Sequence, residues 1–234
     1  ELHKARKSTD YKRMDTVALK LQGGPFSTLY LDIMKYPEYI FTEASIPNYI
    51  FTFDSPTAIN GKPVYVVHFI DRNSIAEPHY EGKLYIDSEN LALTSASYRL
   101  NVGNKRAASK IFVQKKPRDV NVYPTQARYK VDYREKNGKW YYGYGRVDLS
   151  FKVNKRRKLF NTVYSLSSEM AVTDITDTSP GQFIQNKMKP TVVMADAVSG
   201  FSDPDFWGPY NVIEPEKSIE SAISKIQRKM QRNN

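Results

Sequence analysis

The stretch "NVYPTQARYKVDYREKNGKWYYGYGRVDLSFKV", residues 121–153, decides the fold class. Apolar and aromatic residues alternate with polar ones on both sides of Asn137-Gly138, a dipeptide that favours a two-residue hairpin turn. The pattern therefore predicts two long antiparallel strands, at 121–136 and 139–153. Strands of this length require a sheet that twists and curls.

The strand pattern continues on both sides of this hairpin, with further strands predicted at 49–53, 63–70, 79–87, 91–101 and 158–172. The chain also contains 17 tyrosines, whose rings fit the half-buried surface of a sheet. The predicted fold is α+β, mainly antiparallel β. It is one large curved sheet, a half-open barrel, with a few helices.

Several glycines fall within or before these strands. A glycine followed by lysine opens three similar segments, at Gly61, Gly82 and Gly138, and we interpret this as shared turn chemistry. Gly143 and Gly145 lie between aromatic residues in the middle of a strand. We expect them to relieve crowding or to mark a bulge.

The remaining segments define the domain organisation. Residues 15–35 carry both an alternating pattern and helix-capping signals, and we favour short helices there. Isoleucines at helical spacing predict a C-terminal helix over 216–230. We interpret 1–14 as a linker or frayed start, and 15–234 as a single β-rich half-barrel domain.

The chain is basic, with a formal net charge of +10, but the charge is spread out. We interpret this charge as serving solubility. The alternative is that its one tight run lies at a hairpin tip and contacts an anionic membrane surface, through Lys155, Arg156, Arg157 and Lys158. Basic and aromatic residues also interleave at 136–146, but without a nucleic-acid-binding motif no nucleic acid partner is expected.

Sequence motifs give no support for catalysis. There is no cysteine, which excludes disulfides, zinc–thiolate sites and cysteine nucleophiles. The three histidines lack metal-binding spacing, and no nucleophile or phosphate-loop motif is present. His68 shares a strand face with Val64 and Val66, so a packed or hydrogen-bonded imidazole is expected. We predict that the chain is not an enzyme and has no cofactor and no metal.

Paired carboxylates leave one enzymatic alternative, a glycan or peptide hydrolase. Asp203 and Asp205 lie two residues apart, and Glu214 and Glu216 flank a proline. A glycosidase needs two carboxyl groups about 5–10 Å apart in a cleft. We favour the interpretation that these side chains form turns and cap a helix.

Aromatic residues near the carboxylates suggest a different role. Four of them are apolar enough to close one end of a curved sheet: Phe201, Phe206, Trp207 and Tyr210. The residues predicted to contact an apolar ligand in its interior are Phe206, Trp207, Tyr210 and Trp140.

Four stretches resemble the C-terminal portion of Bacteroidota envelope proteins that are labelled carboxypeptidase-like regulatory-domain-containing proteins. They are "LQGGPFSTLYLDIMKYP" (21–37), "GKPVYVVHF" (61–69), "YEGKLYIDSENLALTSASYRLN" (80–101) and "DFWGPYNVIEPEKSIESAISKI" (205–226). The resemblance implies an exported protein, periplasmic or associated with the outer membrane, with a signal peptide and a small β-sandwich upstream of Glu1. The label belongs to that sandwich and implies no peptidase activity.

The hairpin "GKLYIDSENLA" (82–92) also resembles the strand pair of LolA/LolB-like lipoprotein carriers. This resemblance implies a curved antiparallel sheet with helices on its concave side and an apolar interior. The expected partners are a lipid or acyl-chain ligand and an outer-membrane or envelope protein. The alternative is a structural or interaction module without a small-molecule ligand.

Overall fold

The computed structural model describes residues 26–72, 77–113, 116–156, 161–173 and 175. The predicted linker at 1–14 and the predicted helix at 216–230 lie outside these residues. The chain divides into two compact units, residues 28–168 and the two chain ends. The single domain at 15–234 stays a prediction.

Seven antiparallel strands form one open sheet in which neighbours in the chain are neighbours in space. They are β1 (Tyr49–Ile59), β2 (Lys62–Asp71), β3 (Tyr80–Asp87), β4 (Leu93–Leu100), β5 (Val120–Lys136), β6 (Lys139–Lys155) and β7 (Thr162–Ala171). The predicted, mainly antiparallel β class is confirmed. Most strand bounds agree with the prediction to within a few residues, but β1 continues well beyond its predicted end at residue 53.

Two hairpins turn through Asn-Gly pairs with both residues in the left-handed region. The φ angles are 52° and 79° at Asn60-Gly61, and 54° and 73° at Asn137-Gly138. These are the positive φ values that a two-residue hairpin turn requires. Gly82 is different, because it lies inside β3. The prediction of shared turn chemistry was right for Gly61 and Gly138 and wrong for Gly82.

The helices of the described part are short. Helix α1 spans Phe26–Leu29, and two single 3₁₀ turns follow at Pro37–Tyr39 and Ile46–Asn48. Helix α2 spans Lys105–Phe112, within a stretch that the sequence marks only as basic. The Asn104 side chain caps α2 by accepting a hydrogen bond from the Ala107 N–H at 3.1 Å.

The two faces of the sheet differ in character. One face carries the core, in which Phe69, Ala96 and Val131 are fully buried. The segment 30–41 covers this face and adds Ile33 and Ile40 to the core. The opposite face carries ion pairs between strands or along one strand, namely Asp54–Lys83, Glu81–Arg99 and Arg146–Asp148.

Candidate ligand-binding pockets

Two cavities flank the covering segment, and alternate residues of that segment line them. Leu31 and Ile33 line one cavity, whereas Asp32 and Met34 line the other. The alternation places apolar side chains on one side of the segment and polar or flexible ones on the other. The two cavities therefore differ chemically, although they share a wall.

The first cavity, which we call the tyrosine pocket, has a volume of about 140 Å³. Among the described residues that line it, six are tyrosines and three are aliphatic. Half of the tyrosines come from the covering segment and half from the sheet: Tyr30, Tyr36 and Tyr39, and Tyr80, Tyr98 and Tyr129. Within each set the rings contact one another, with centroids 5.1–6.0 Å apart.

Burial keeps the sheet tyrosines neutral. It raises the pKa of Tyr98 well above the usual value of 10.0, and it raises the pKa of Tyr80 and Tyr129 as well. The hydroxyls of Tyr80 and Tyr129 hydrogen-bond each other. The described residues that line the tyrosine pocket include no charged side chain, so they present an uncharged aromatic and aliphatic wall.

Gly82 makes room for this arrangement. It pairs with Tyr98 across β3 and β4. A Cβ atom at Gly82 would lie 2.3 Å from the carbonyl oxygen of Ser97 and 2.6 Å from Cα of Tyr98. Both atoms belong to the backbone and cannot move aside easily. A glycine is needed here for close packing, not for a turn.

The second cavity, which we call the tryptophan pocket, has a volume of about 260 Å³. Its lining combines aromatic, charged and flexible residues: Asp32, Met34, Lys35, Ala92, Leu93, Tyr133, Trp140 and Tyr142. Trp140 is half-buried and pairs across the hairpin with Glu135. The ammonium of Lys62 lies 2.7 Å from the Glu135 carboxylate and 5.9 Å from the centroid of the Trp140 ring. Because Lys62 is not part of the lining, it supports the ring from outside the pocket.

Two tyrosine hydroxyls hold the covering segment and the residues just before it on the sheet. The Tyr133 hydroxyl donates to Asp32 Oδ1 at 3.0 Å and accepts from the Met34 N–H at 3.2 Å. The Tyr142 hydroxyl donates to the Thr28 carbonyl at 2.6 Å. Burial raises the pKa of both hydroxyls, so both carry their protons at neutral pH. These bonds fix the walls that the segment contributes to the pockets.

The glycines predicted to relieve crowding do so. A bulge interrupts the β5–β6 pairing between Asp132 and Tyr133, and Gly143 lies in it. A Cβ atom at Gly145 would lie 1.9 Å from the Tyr142 hydroxyl. Gly145 thus lets Tyr142 lie across the strand and reach Thr28. The prediction of crowding relief and a bulge at these glycines is confirmed.

The structure brings one of the four predicted ligand contacts, Trp140, into a pocket. The other three, Phe206, Trp207 and Tyr210, lie outside the described residues, as do the four candidate carboxylates, Asp203, Asp205, Glu214 and Glu216. Sequence reasoning missed the tyrosine pocket and Asp32. The high tyrosine content and the alternation at residues 29, 31 and 33 were the available signals, but they do not show which strands meet the segment.

A basic end of the sheet gathers residues that are distant in the chain. Of the predicted membrane-contact residues, Lys155 ends β6 and pairs with Val120, and Arg156 follows it. Arg157 and Lys158 lie outside the described residues. Helix α2 packs on β5 and carries three more basic residues, Lys105, Arg106 and Lys110. It also carries the exposed Ile111.

Titratable groups elsewhere form a structural pair and no metal site. His79 Nδ1 lies 2.7 Å from Asp71 Oδ2, which ties the start of β3 to the end of β2. His68 is half-buried on the strand face that carries Val64 and Val66. Within the described ranges, no group of three or more His, Asp or Glu side chains is arranged to hold a metal ion.

Comparison of the chain with protein-family models, with curated proteins and with solved structures found no significant match. The resemblance to envelope proteins and to LolA/LolB-like carriers therefore stays a prediction. Among the described residues, no helix is long and apolar enough to cross a bilayer.

Proposed function

We propose that the chain is a non-catalytic cell-envelope protein that binds an apolar ligand, a lipid or acyl chain, on the covered face of a half-barrel sheet. The observation that carries the proposal is the tyrosine pocket, a cavity with an uncharged wall between the sheet and the covering segment. Neutral aromatic and aliphatic walls favour apolar ligands, because no charged group loses its hydration when the ligand enters.

The pocket volume limits what enters it. One water molecule takes up about 30 Å³ in the liquid, so a cavity of 140 Å³ holds about five non-hydrogen atoms of similar size. The pocket therefore takes the end of an acyl chain while the covering segment stays in place. A longer stretch of chain enters only if this segment moves away. Tyr30 and Tyr39 of the segment line the pocket and are about half exposed.

Displacement of a fluorescent apolar probe, 1-anilinonaphthalene-8-sulfonate, by lauric acid tests the proposal. We expect saturable displacement that weakens about tenfold in the double variant Tyr30→Ala/Tyr39→Ala, because about 1.4 kcal/mol of ring contact is lost. Tyr65→Ala is the matched control, since Tyr65 is equally exposed and lies outside the pocket. No displacement, or equal affinity in the double variant, contradicts the proposal.

The exposed edge of the sheet favours a second candidate, an interaction module for an outer-membrane or envelope protein. Strand β1 is an edge strand, and Phe53 on it is 81% exposed. Phe51 and Tyr65, on the same face of the sheet, extend the exposed apolar surface. Unpaired edges with apolar side chains are sites for strand addition. Under this candidate, Phe53→Ser reduces self-association or partner binding in sedimentation velocity, whereas lauric acid has no effect.

The hydrolase alternative requires two carboxyl groups in one cleft. Among the described residues that line the two pockets, Asp32 is the one carboxylate. Replacing Asp203, Asp205, Glu214 and Glu216 one at a time by the amide tests the alternative. Loss of glycan or peptide turnover in a folded variant would support it over the binding function.

A further inference from the structure

The tryptophan pocket offers hydrogen-bonding groups that the fold does not use. Trp140 is half-buried, and its indole N–H donates to no group among the described residues. Asp32 uses Oδ1 for the Tyr133 hydroxyl and the Lys35 N–H. Its second oxygen, Oδ2, makes no hydrogen bond within the described part of the chain. A donor and an acceptor thus remain available at an aromatic wall.

The pocket is also shaped for a small polar ligand. Its 260 Å³ correspond to about nine heavy atoms at about 30 Å³ each, which is close to the body of one sugar ring. Met34, at 64% exposure, and the exposed Lys35 form an open rim from which further hydroxyls or a second sugar would project into water.

The side chains are held in place before any ligand arrives. The Lys62–Glu135 ion pair supports Trp140, and the Tyr133 hydroxyl holds the Asp32 carboxylate. A preorganised site binds with a smaller loss of side-chain entropy. A sugar presents an apolar C–H face to an aromatic ring, and its hydroxyls both donate and accept hydrogen bonds, which matches this set of groups.

We propose that the tryptophan pocket is a saccharide-binding site, in which Trp140 stacks on one sugar ring and donates its indole N–H, and Asp32 Oδ2 accepts from a sugar hydroxyl. An acyl chain fits this pocket poorly, because it would cover the charged Asp32 and Lys35 without replacing their hydration. The inference goes beyond the apolar-ligand function and does not depend on it, since the two pockets are lined by different residues.

The test uses Trp140 as its own reporter. The chain contains two tryptophans, so Trp207→Phe leaves Trp140 as the single tryptophan. The probes are the methyl glycosides of glucose, galactose, mannose and N-acetylglucosamine, each titrated to about 10 mM, where even a site of about −2.7 kcal/mol is half saturated. Saturable change in Trp140 fluorescence with at least one glycoside supports the proposal. No change with any of them overturns it.

Variants assign the roles, with affinities measured by calorimetry. We expect Trp140→Ala and Asp32→Asn each to weaken binding about tenfold or more, and Trp140→Phe to weaken it less, because stacking remains. Tyr141→Ala is the matched control, since Tyr141 neighbours Trp140 on the opposite strand face. Binding that survives Trp140→Ala overturns the site. A fluorescence response to 1-hexanol but to no glycoside identifies the pocket as apolar and overturns the saccharide class.

The outcome is separable from that of the apolar-ligand proposal. Tyr30→Ala/Tyr39→Ala is expected to weaken lauric acid binding and to leave glycoside affinity unchanged within about twofold. Asp32→Asn is expected to weaken glycoside binding and to leave lauric acid affinity unchanged within about twofold. If all variants weaken both ligands equally, the saccharide site is not a separate site and the proposal is wrong.

Discussion

Replacing Gly82 by alanine is the most direct test of how the sheet positions its tyrosines. The added Cβ atom would lie 2.3 Å from the Ser97 carbonyl oxygen and 2.6 Å from both Cα and Cβ of Tyr98, where carbon atoms normally stay about 3.5 Å apart or more. Relief requires β3 and β4 to separate by about 1 Å. Overpacking of this kind costs about 3 kcal/mol.

An opposing effect on the unfolded chain reduces the net loss of stability in Gly82→Ala. Glycine to alanine at an ordinary φ stabilises a protein by about 0.5–1 kcal/mol, because the unfolded chain loses freedom. We therefore expect the free energy of unfolding of Gly82→Ala to fall by about 2 kcal/mol, which lowers Tm by about 4–8 °C in a chain of this size. Lauric acid affinity should fall as well, because Tyr98 must move.

Urea unfolding followed by circular dichroism measures the effect. Gly103→Ala is the control, because Gly103 also has an ordinary φ but its nearest contact is the Asn101 side-chain oxygen at 3.1 Å. This control should stay within about 0.5–1 kcal/mol of the parent chain. An unfolding midpoint of Gly82→Ala equal to or above that of the parent chain would refute the close-packing role of Gly82.

Three further predictions concern the buried tyrosines, the hydrogen bonds of Tyr133 and the basic surface. First, the free energy of unfolding should fall as pH rises above about 10. A tyrosine whose pKa is raised in the folded state stabilises the protein below its unfolded-state pKa, and this contribution is lost as pH rises through its folded-state pKa. Absorbance at 295 nm should show late ionisation, together with unfolding, for the four tyrosines with the largest shifts: Tyr98, Tyr129, Tyr133 and Tyr142. Tyr133→Phe removes the bonds to Asp32 and Met34 and should lower the free energy of unfolding by about 2 kcal/mol in urea titrations, whereas an unchanged midpoint would mean that these bonds add nothing. The double variant Lys105→Ala/Arg156→Ala should weaken binding to phosphatidylserine vesicles, measured by co-sedimentation, about 30-fold, because each basic residue contributes about 1 kcal/mol. Equal binding to neutral and acidic vesicles would contradict an electrostatic contact.

The sheet itself was predictable because its signals are local. Alternation along β5 and β6, and the Asn137-Gly138 turn between them, are properties of a short stretch and survive in the folded chain. Helix α2 was missed because its basic residues dominate the pattern, while the signals for a helix are one cap, Asn104, and one fully buried residue, Ala108. A short helix of this kind is stabilised by packing on β5 more than by its own sequence.

The candidate site was less predictable, because it is built from contacts between distant residues. Trp140 was identified from its residue type and its strand. Asp32 gains its role only because Tyr133, 101 residues away, holds one of its oxygens. Gly82 gains its role from the register that places it against Tyr98. Register and covering contacts are decided by the whole sheet, and a single sequence does not show them.

If both binding proposals hold, the covering segment should couple the two pockets in a way that depends on ligand length. Asp32 belongs to this segment, whereas Trp140 belongs to the sheet. We expect a short apolar ligand to fill the tyrosine pocket without moving the segment and to leave the proposed saccharide site intact. We expect a chain long enough to lift the segment to separate Asp32 from Trp140 and to abolish that site. Since coupling between two ligands is reciprocal, a bound glycoside should weaken the binding of palmitic acid but not of hexanoic acid, as measured by calorimetry with and without saturating glycoside. Equal weakening of both fatty acids would mean that the segment is not the coupling element.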